Sequence, residues 1–492
     1  MAQLSASTSV SFLPVDTPIS TRTTILFLVG ISILIPVSFY LGLALVLAGL
    51  VFGIALAALL LHNTFLWFIA IVLGYFPIFI SWGKDFTFTP IEAAHAILLY
   101  GGILWWFFSK TVIKRQGIQF SYGAKAWGLL VLYMLLLFPV SLIQQADPFI
   151  AFREITVMSS VLLLLPMKYE LRTPAQRKII VGLFIGMLTV VAIRNVVTFR
   201  QKAMQAIQFW QVGASRSPEL FHLTLALFVI ALAFMVSSKR FRHRVFWVLI
   251  LMVSASAALL TFYRTVWLAA TLSMIFLGLF LGRTYWKRVM GYGILAIVSG
   301  FIIIQTFFGQ SIDLQTLGAS LAERALTSKK ITTDVSLRNR NEESISTLKS
   351  VGWNVLIGNG LGTRITYMNY IDWVTRRTSW THNAFPWMIY HIGLIGSFLL
   401  LSSILWYLAT GWRLQRHLTR DLRFDVETRF QLRALVLAGI ALLLAELLIF
   451  WTINPILDRS GLLVMTLVFV FYELLLSELI TRPSEESVSI AS

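Results

Sequence analysis

The chain has 492 residues, 58% of them hydrophobic and 14% aromatic, and it contains no cysteine. Its apolar runs repeatedly reach the roughly 20 residues that cross a bilayer core, and many windows are apolar on every face. That excludes a soluble globular enzyme, and the missing cysteine excludes a disulfide framework, a thiolate nucleophile and a cysteine metal site. The net charge of +18 does not point to a nucleic-acid partner, because the cations sit in short loops between apolar runs, where membrane orientation requires them.

Residues 1 to 24 are rich in Ser and Thr, carry Arg22 as their only basic residue and show no short apolar segment with a small-residue cleavage site. They read as a cytoplasmic tail, with the first span directing insertion. Spans follow near 25 to 41, 43 to 61, 64 to 82, 91 to 109, 126 to 143, 154 to 167 and 179 to 196, then 218 to 237, 245 to 263, 265 to 282 and 291 to 308. After a long segment, 309 to 383, come spans near 384 to 410, 435 to 454 and 462 to 480, and a short tail, 482 to 492. The expected architecture is an all-α polytopic membrane protein of about fourteen transmembrane helices in one membrane domain, with spans 1–11 within 25–308 and spans 12–14 within 384–481.

Alternate loops collect the Lys and Arg. Lys110, Lys114, Arg115 and Lys125 share one, Lys168, Arg172, Arg177 and Lys178 the next, and Lys239, Arg240, Arg242 and Arg244 another. Arg283, Lys287 and Arg288 follow, then Arg413, Arg416, Arg420, Arg423, Arg429 and Arg433. These loops and both termini are expected in the cytoplasm, which puts residues 309–383 outside. That segment is far longer than a connection needs, and such loops are usually functional or disordered. Here "LQTLGASLAERAL" has helical spacing, and "RNRNEESISTLKSVGW" predicts a second amphipathic helix ending before the turn "GNGLG".

Several cations, nearly all of them arginines, break the positive-inside pattern. Arg194, Arg200, Lys202 and Arg216 lie on the outward side, as do Arg338, Arg340, Arg376 and Arg377 in the large loop. Arg264, in "LLTFYRTVWLAA", has almost no loop around it. It reads either as a snorkelling cation at a helix end or as a functional group facing the bundle interior. Arg340 reads either as a solvated charge on a loop helix or as a site residue. As a set they suit a polyanion, since guanidinium forks hold diphosphate oxygens as lysine cannot.

"RTSWTHNAFPWMIYHIGLIG" then places an Arg, a His and an Asn at the mouth of a span. His382 suits a general base for a sugar hydroxyl near neutral pH; it equally suits a hydrogen-bonding residue at a helix end, with Asn383 as the N-cap. The glycines Gly358, Gly360 and Gly362 allow a tight turn, beside a ligand or simply within a loop. His62, His95, His222, His243, His391 and His417 are scattered without metal spacing. No H-E-x-x-H, Walker loop, G-x-S-x-G or outward Asp-x-Asp occurs, so no metal and no cofactor are expected.

The order of these features resembles the bacterial O-antigen ligase and O-antigen polymerase superfamily. "RNEESISTLKSVGWNVLIGNGLG" begins at Arg340, and "THNAFPWMIYHIGLIGSFLLL" follows from Thr381. "LLTFYRTVWLAA" is similar to the family's Thr-x-Ser-Arg helix end, with Tyr263 in place of the serine. "VGASRSPELFHLTLAL" is similar to its arginine-bearing approach to the preceding span, which assigns Arg216. The chain departs from the pattern at Ser344, where an aromatic is usual, and in offering Arg338 beside Arg340. The match covers about residues 210 to 410.

The resemblance implies a C-type glycosyltransferase-like fold in the bacterial inner membrane, roofed by a periplasmic catalytic loop. It implies metal-independent, inverting transfer of a glycan from undecaprenyl diphosphate, with Arg216, Arg264, Arg340 and Arg338 on the diphosphate and His382 on the acceptor hydroxyl. Asn383, the glycines and Trp380 would support, and Trp380 and Trp387 would stack on sugar or line a lipid path. As a polysaccharide polymerase the acceptor is another lipid-linked glycan; as an O-antigen ligase it is lipid A-core. A flippase or chain-length regulator would be a natural partner of either. A small-solute or bicarbonate transporter is the reading from another class, against which stand the short link "LHN" and the lack of a repeat between halves.

Overall fold

Twelve helix-forming apolar stretches of the sequence from residue 64 onward appear as helices in the computed structural model. It describes residues 62–80, 90–171, 173–203, 220–308, 335–370, 373–420, 424–452, 454 and 459–481. In chain order these hold α1 (Thr64–Ile80), α2 (Pro90–Phe108), α3 (Tyr122–Ile143), α4 (Pro148–Ser159), α5 (Leu164–Glu170) and α6 (Pro174–Ala203). Next come α7 (Phe221–Ser237), α8 (Phe241–Leu259), α9 (Arg264–Leu281) and α10 (Arg283–Phe308). The polar segment carries α11 (Val335–Lys349), β1 (Ile365–Asn369) and β2 (Val374–Thr378), and α12 (Ala384–Arg420), α13 (Val426–Ile449) and α14 (Arg459–Thr481) end the chain. The expected spans at 25 to 41 and 43 to 61, and the expected helix "LQTLGASLAERAL", lie outside the described residues. Residues from Phe65 onward cluster as one unit.

Among the described residues, ten helices are long and apolar enough to cross a membrane, and two shorter apolar ones are Thr64–Tyr75 and Phe221–Ser237. α4 and α5 make one crossing, joined through a tighter turn at Ser160–Leu163. α7 is apolar all round, and nearly all of it is buried. A helix of that kind belongs inside a bundle. α3 has two faces instead: Trp127, Leu130 and Met134 are fully buried, while Leu129, Leu132 and Leu136 are exposed as lipid-facing side chains are.

Small residues set the closest approaches, as expected where lipid offers no hydrophobic drive between helices. A Cβ on Gly123 would lie 2.6 Å from Tyr407, and one on Gly411 or Gly439 2.6 Å from the Tyr472 hydroxyl. Helix starts are capped by side chains: the Ser121 hydroxyl accepts from Ala124 N–H, and Asp147, ahead of Pro148, accepts from Phe149 and Ile150 N–H. Such caps satisfy the orphan donors of a first turn. At the end of the bundle expected in the cytoplasm, buried charges are paired. Lys168 meets Glu473 at 2.8 Å and Lys110 meets Glu170 at 2.7 Å, while the Tyr407 hydroxyl donates to Glu473 at 3.1 Å.

Candidate active site

The polar segment folds on its own helix. In α11 the buried residues are Asn339, Glu343 and Thr347, four apart, so one face of an otherwise polar helix is turned inward. Asn339 Oδ1 accepts from Tyr370 N–H at 3.0 Å, which docks the hairpin of β1 and β2 on that face. The strands pair antiparallel from Ile365 opposite Thr378 to Asn369 opposite Val374. Burial alternates along β1, and Ile365 and Tyr367 pack with Val351 and Tyr390 in a small core. This hairpin is a departure from the all-helical expectation, and it returns the chain to Trp380 and His382 at the mouth of α12.

There the imidazole meets a buried carboxylate. His382 Nδ1 is 2.8 Å from Glu343 Oε2, and His382 N–H donates to the same oxygen at 3.3 Å. Glu343 is 1% exposed and the His382 side chain 31%. The carboxylate fixes the ring and its tautomer, with Nδ1 as the donor and Nε2 as the basic nitrogen. Trp380 stands edge-on to the ring, centroids 4.4 Å apart. Capping falls to Asn383, whose Oδ1 accepts from Phe385 N–H at 3.1 Å. Ala384 N–H donates to Phe450 O at 2.8 Å, tying the mouth of α12 to the end of α13.

The structure distributes the other expected residues unevenly. Arg340 is partly buried on α11, one turn before Glu343. Arg338 is exposed, and its guanidinium lies over the Tyr370 ring at 4.1 Å. Arg264, also partly buried, opens α9. Its neighbour Tyr263 packs edge-on against Phe221, centroids 5.4 Å apart, and the adjacent His222 is paired through Nδ1 with Glu446 at 2.7 Å, both fully buried. Glu446 is one turn before Phe450, so Arg264 and His382 stand at the same end of the bundle. Arg216 lies outside the described residues.

Two expectations take a different form. Gly358, Gly360 and Gly362 have φ of +83°, +89° and +67°, but the close approach they permit is to protein: a Cβ would meet His391 O at 2.5 Å, Ser141 Oγ at 2.6 Å and Ala151 N at 2.8 Å respectively. Trp387 is fully buried, stacked on His391 with centroids 5.0 Å apart, and so is a packing residue rather than a sugar platform. Glu343, the partner of His382, stands in the amphipathic stretch "RNRNEESISTLKSVGW" with little to mark it. Its signal was the three-residue step from Arg340, which puts both on one helical face. The buried His222–Glu446 pair had no such signal.

Among the described residues no group of three or more His, Asp or Glu could hold a metal ion. The fold is that of an all-α, multi-pass membrane protein with a folded polar segment at one end of its bundle. Compared with models of known protein families and with curated proteins, the chain matches none.

Proposed function

We propose that the protein is a metal-independent, inverting glycosyltransferase of the bacterial inner membrane, with about fourteen spans and a C-type glycosyltransferase-like arrangement. It moves a glycan from undecaprenyl diphosphate to an acceptor sugar hydroxyl on the periplasmic side, as a polysaccharide polymerase. The observation that carries this reading is the Glu343–His382 pair at the mouth of α12, with Arg340 on the helix that supplies Glu343. The acceptor oxygen attacks the anomeric carbon as the bond to the diphosphate oxygen breaks. The acceptor proton passes to His382 Nε2, and Glu343 stabilises the imidazolium that results. Charge builds on the departing diphosphate, so arginines set on its oxygens favour the transition state over the ground state and replace a divalent cation. Arg340 and Arg264 are assigned that role, shared by Arg216 and Arg338.

The test offers purified protein a lipid-linked oligosaccharide with and without lipid A-core. Longer lipid-linked product without lipid A-core is expected. Product only with lipid A-core would make the protein a ligase, and solute flux in proteoliposomes with no glycan product would make it a transporter.

A further inference from the structure

The stretch between α11 and β1 runs down alongside α3 and α12. The Tyr133 hydroxyl donates to Ile357 O at 2.7 Å, and Ile395 N–H donates to Leu356 O at 3.1 Å. Tyr133 lies ten residues before the end of α3 at Ile143, and Ile395 eleven after the start of α12 at Ala384. At about 1.5 Å per residue, Tyr133 is roughly 15 Å from the end of α3, half the depth of a ~30 Å hydrocarbon core, and Ile395 lies just beyond the non-helical Gly393 of α12. At this level α3 is apolar and uncovered, since Leu132 and Leu136, flanking Tyr133, are 52% and 67% exposed.

Irregular backbone survives at such a depth only where protein satisfies its polar groups. From Gly358 to Gly362 every N–H is met. Gly358 donates to Asn354 O at 2.6 Å, Asn359 to Tyr390 O at 2.7 Å and Gly360 to His391 O at 3.1 Å. Leu361 donates to Ser141 Oγ at 2.7 Å and Gly362 to Glu154 Oε2 at 3.0 Å. The exchange is reciprocal: α12 breaks at Gly393, where φ is +63°, and the Tyr390 and His391 carbonyls and the Ile395 N–H around that break are taken up by the loop.

The side chains on the other edge find no such cover. Trp353, Val355, Leu356 and Ile357 are 102%, 40%, 59% and 43% exposed, next to Leu394 and Phe398 of α12 at 46% and 67%. Exposed apolar side chains therefore stand both on the loop and on the stretch of α12 to which its backbone is bonded. We infer that Gly352–Gly362 is a re-entrant segment, inserted beside α3 and α12, whose Trp353–Ile357 edge contacts the acyl chains of the bilayer. Because α11 ends three residues before Gly352, the insertion anchors the helix that carries Glu343 to the membrane. This holds whatever reaction the protein performs.

The natural absence of cysteine makes the test direct. A nitroxide is placed on Leu356→Cys, on Trp353→Cys, on Leu132→Cys as a lipid-facing reference and on Thr375→Cys in β2 as an aqueous one, each in lipid nanodiscs. Collision with oxygen and with a water-soluble nickel chelate is read by power saturation. The oxygen-to-nickel ratio at 356 is expected to match that at 132 and to exceed that at 375 several-fold. A ratio like that at 375 overturns the inference. So does low collision with both reagents, which would mean that a second copy or another protein covers the edge. Val355→Cys serves in place of Leu356→Cys if the latter is not monodisperse.

Discussion

Three glycine-to-alanine variants separate close approach from backbone strain. Gly358 has φ of +83°, and its new Cβ would lie 2.5 Å from His391 O and 2.6 Å from Gly393 N, both backbone atoms. The left-handed conformation costs a residue with a Cβ about 1–2 kcal/mol, and overpacking against backbone that cannot swing aside adds about 1–3 kcal/mol. Gly358→Ala should therefore destabilise by about 2–5 kcal/mol. Gly352 has φ of +58° but nothing within 4 Å of a Cβ, so Gly352→Ala carries only the conformational cost, about 1 kcal/mol. Gly101, exposed within α2, has neither problem, and Gly101→Ala should stabilise by roughly 0.5–1 kcal/mol. The measurement is unfolding by SDS in dodecyl maltoside micelles, followed by the fluorescence of the 16 tryptophans. If Gly358→Ala and Gly352→Ala fall within about 0.5 kcal/mol of each other, the loop does not approach α12 as described.

The remaining predictions concern chemistry and orientation. His382→Ala should lower turnover by about 10²- to 10⁴-fold with donor binding largely kept, and Glu343→Gln should lower it less, since the amide still holds the ring; a collapse of donor affinity in His382→Ala with single-turnover chemistry unchanged would make His382 a binding residue. His391→Ala, by contrast, should cost stability before chemistry, because that ring is buried against Gly360 O at 3.0 Å. Arg264→Lys keeps the charge and loses the planar fork, so activity should fall sharply in a protein that still folds; near-normal turnover would return Arg264 to a snorkelling role. Lys330→Cys should label with an impermeant maleimide from outside intact cells and Arg420→Cys should not, and the reverse would place the site on the cytoplasmic side.

Much of the fold was legible because a membrane span is written in a continuous run of one residue class. Each expected span from residue 64 onward falls on a helix, and α11 covers the first part of "RNRNEESISTLKSVGW", as far as Lys349, after beginning three residues ahead of it at Val335. What escaped had weaker local signals. β2 is exposed from Val374 to Arg377, so it offers no alternation of apolar and polar residues to mark a strand. The break in α12 sits in "HIGLIG", inside an apolar run that reads as uninterrupted helix, and only the loop donating to Tyr390 O and His391 O reveals why the helix can afford it. Lipid-facing and loop-covered residues of a span carry the same hydrophobic code.

The candidate site divides along the same line between local and distant information. From sequence, His382 was a helix-end residue or a base, and nothing near it in the chain separates the two. The structure gives the helix-end role to Asn383, whose side chain takes Phe385 N–H, and gives His382 a partner 39 residues away. A carboxylate 1% exposed is costly to bury unless hydrogen-bonded, and removing the group that pairs with it is costlier still. Glu343 therefore needs His382 and the backbone N–H beside it as much as the imidazole needs a fixed orientation. That mutual dependence ties α11, which also carries Arg340, to the mouth of α12, so the residue assigned to the acceptor proton and one assigned to the diphosphate are held by a single contact.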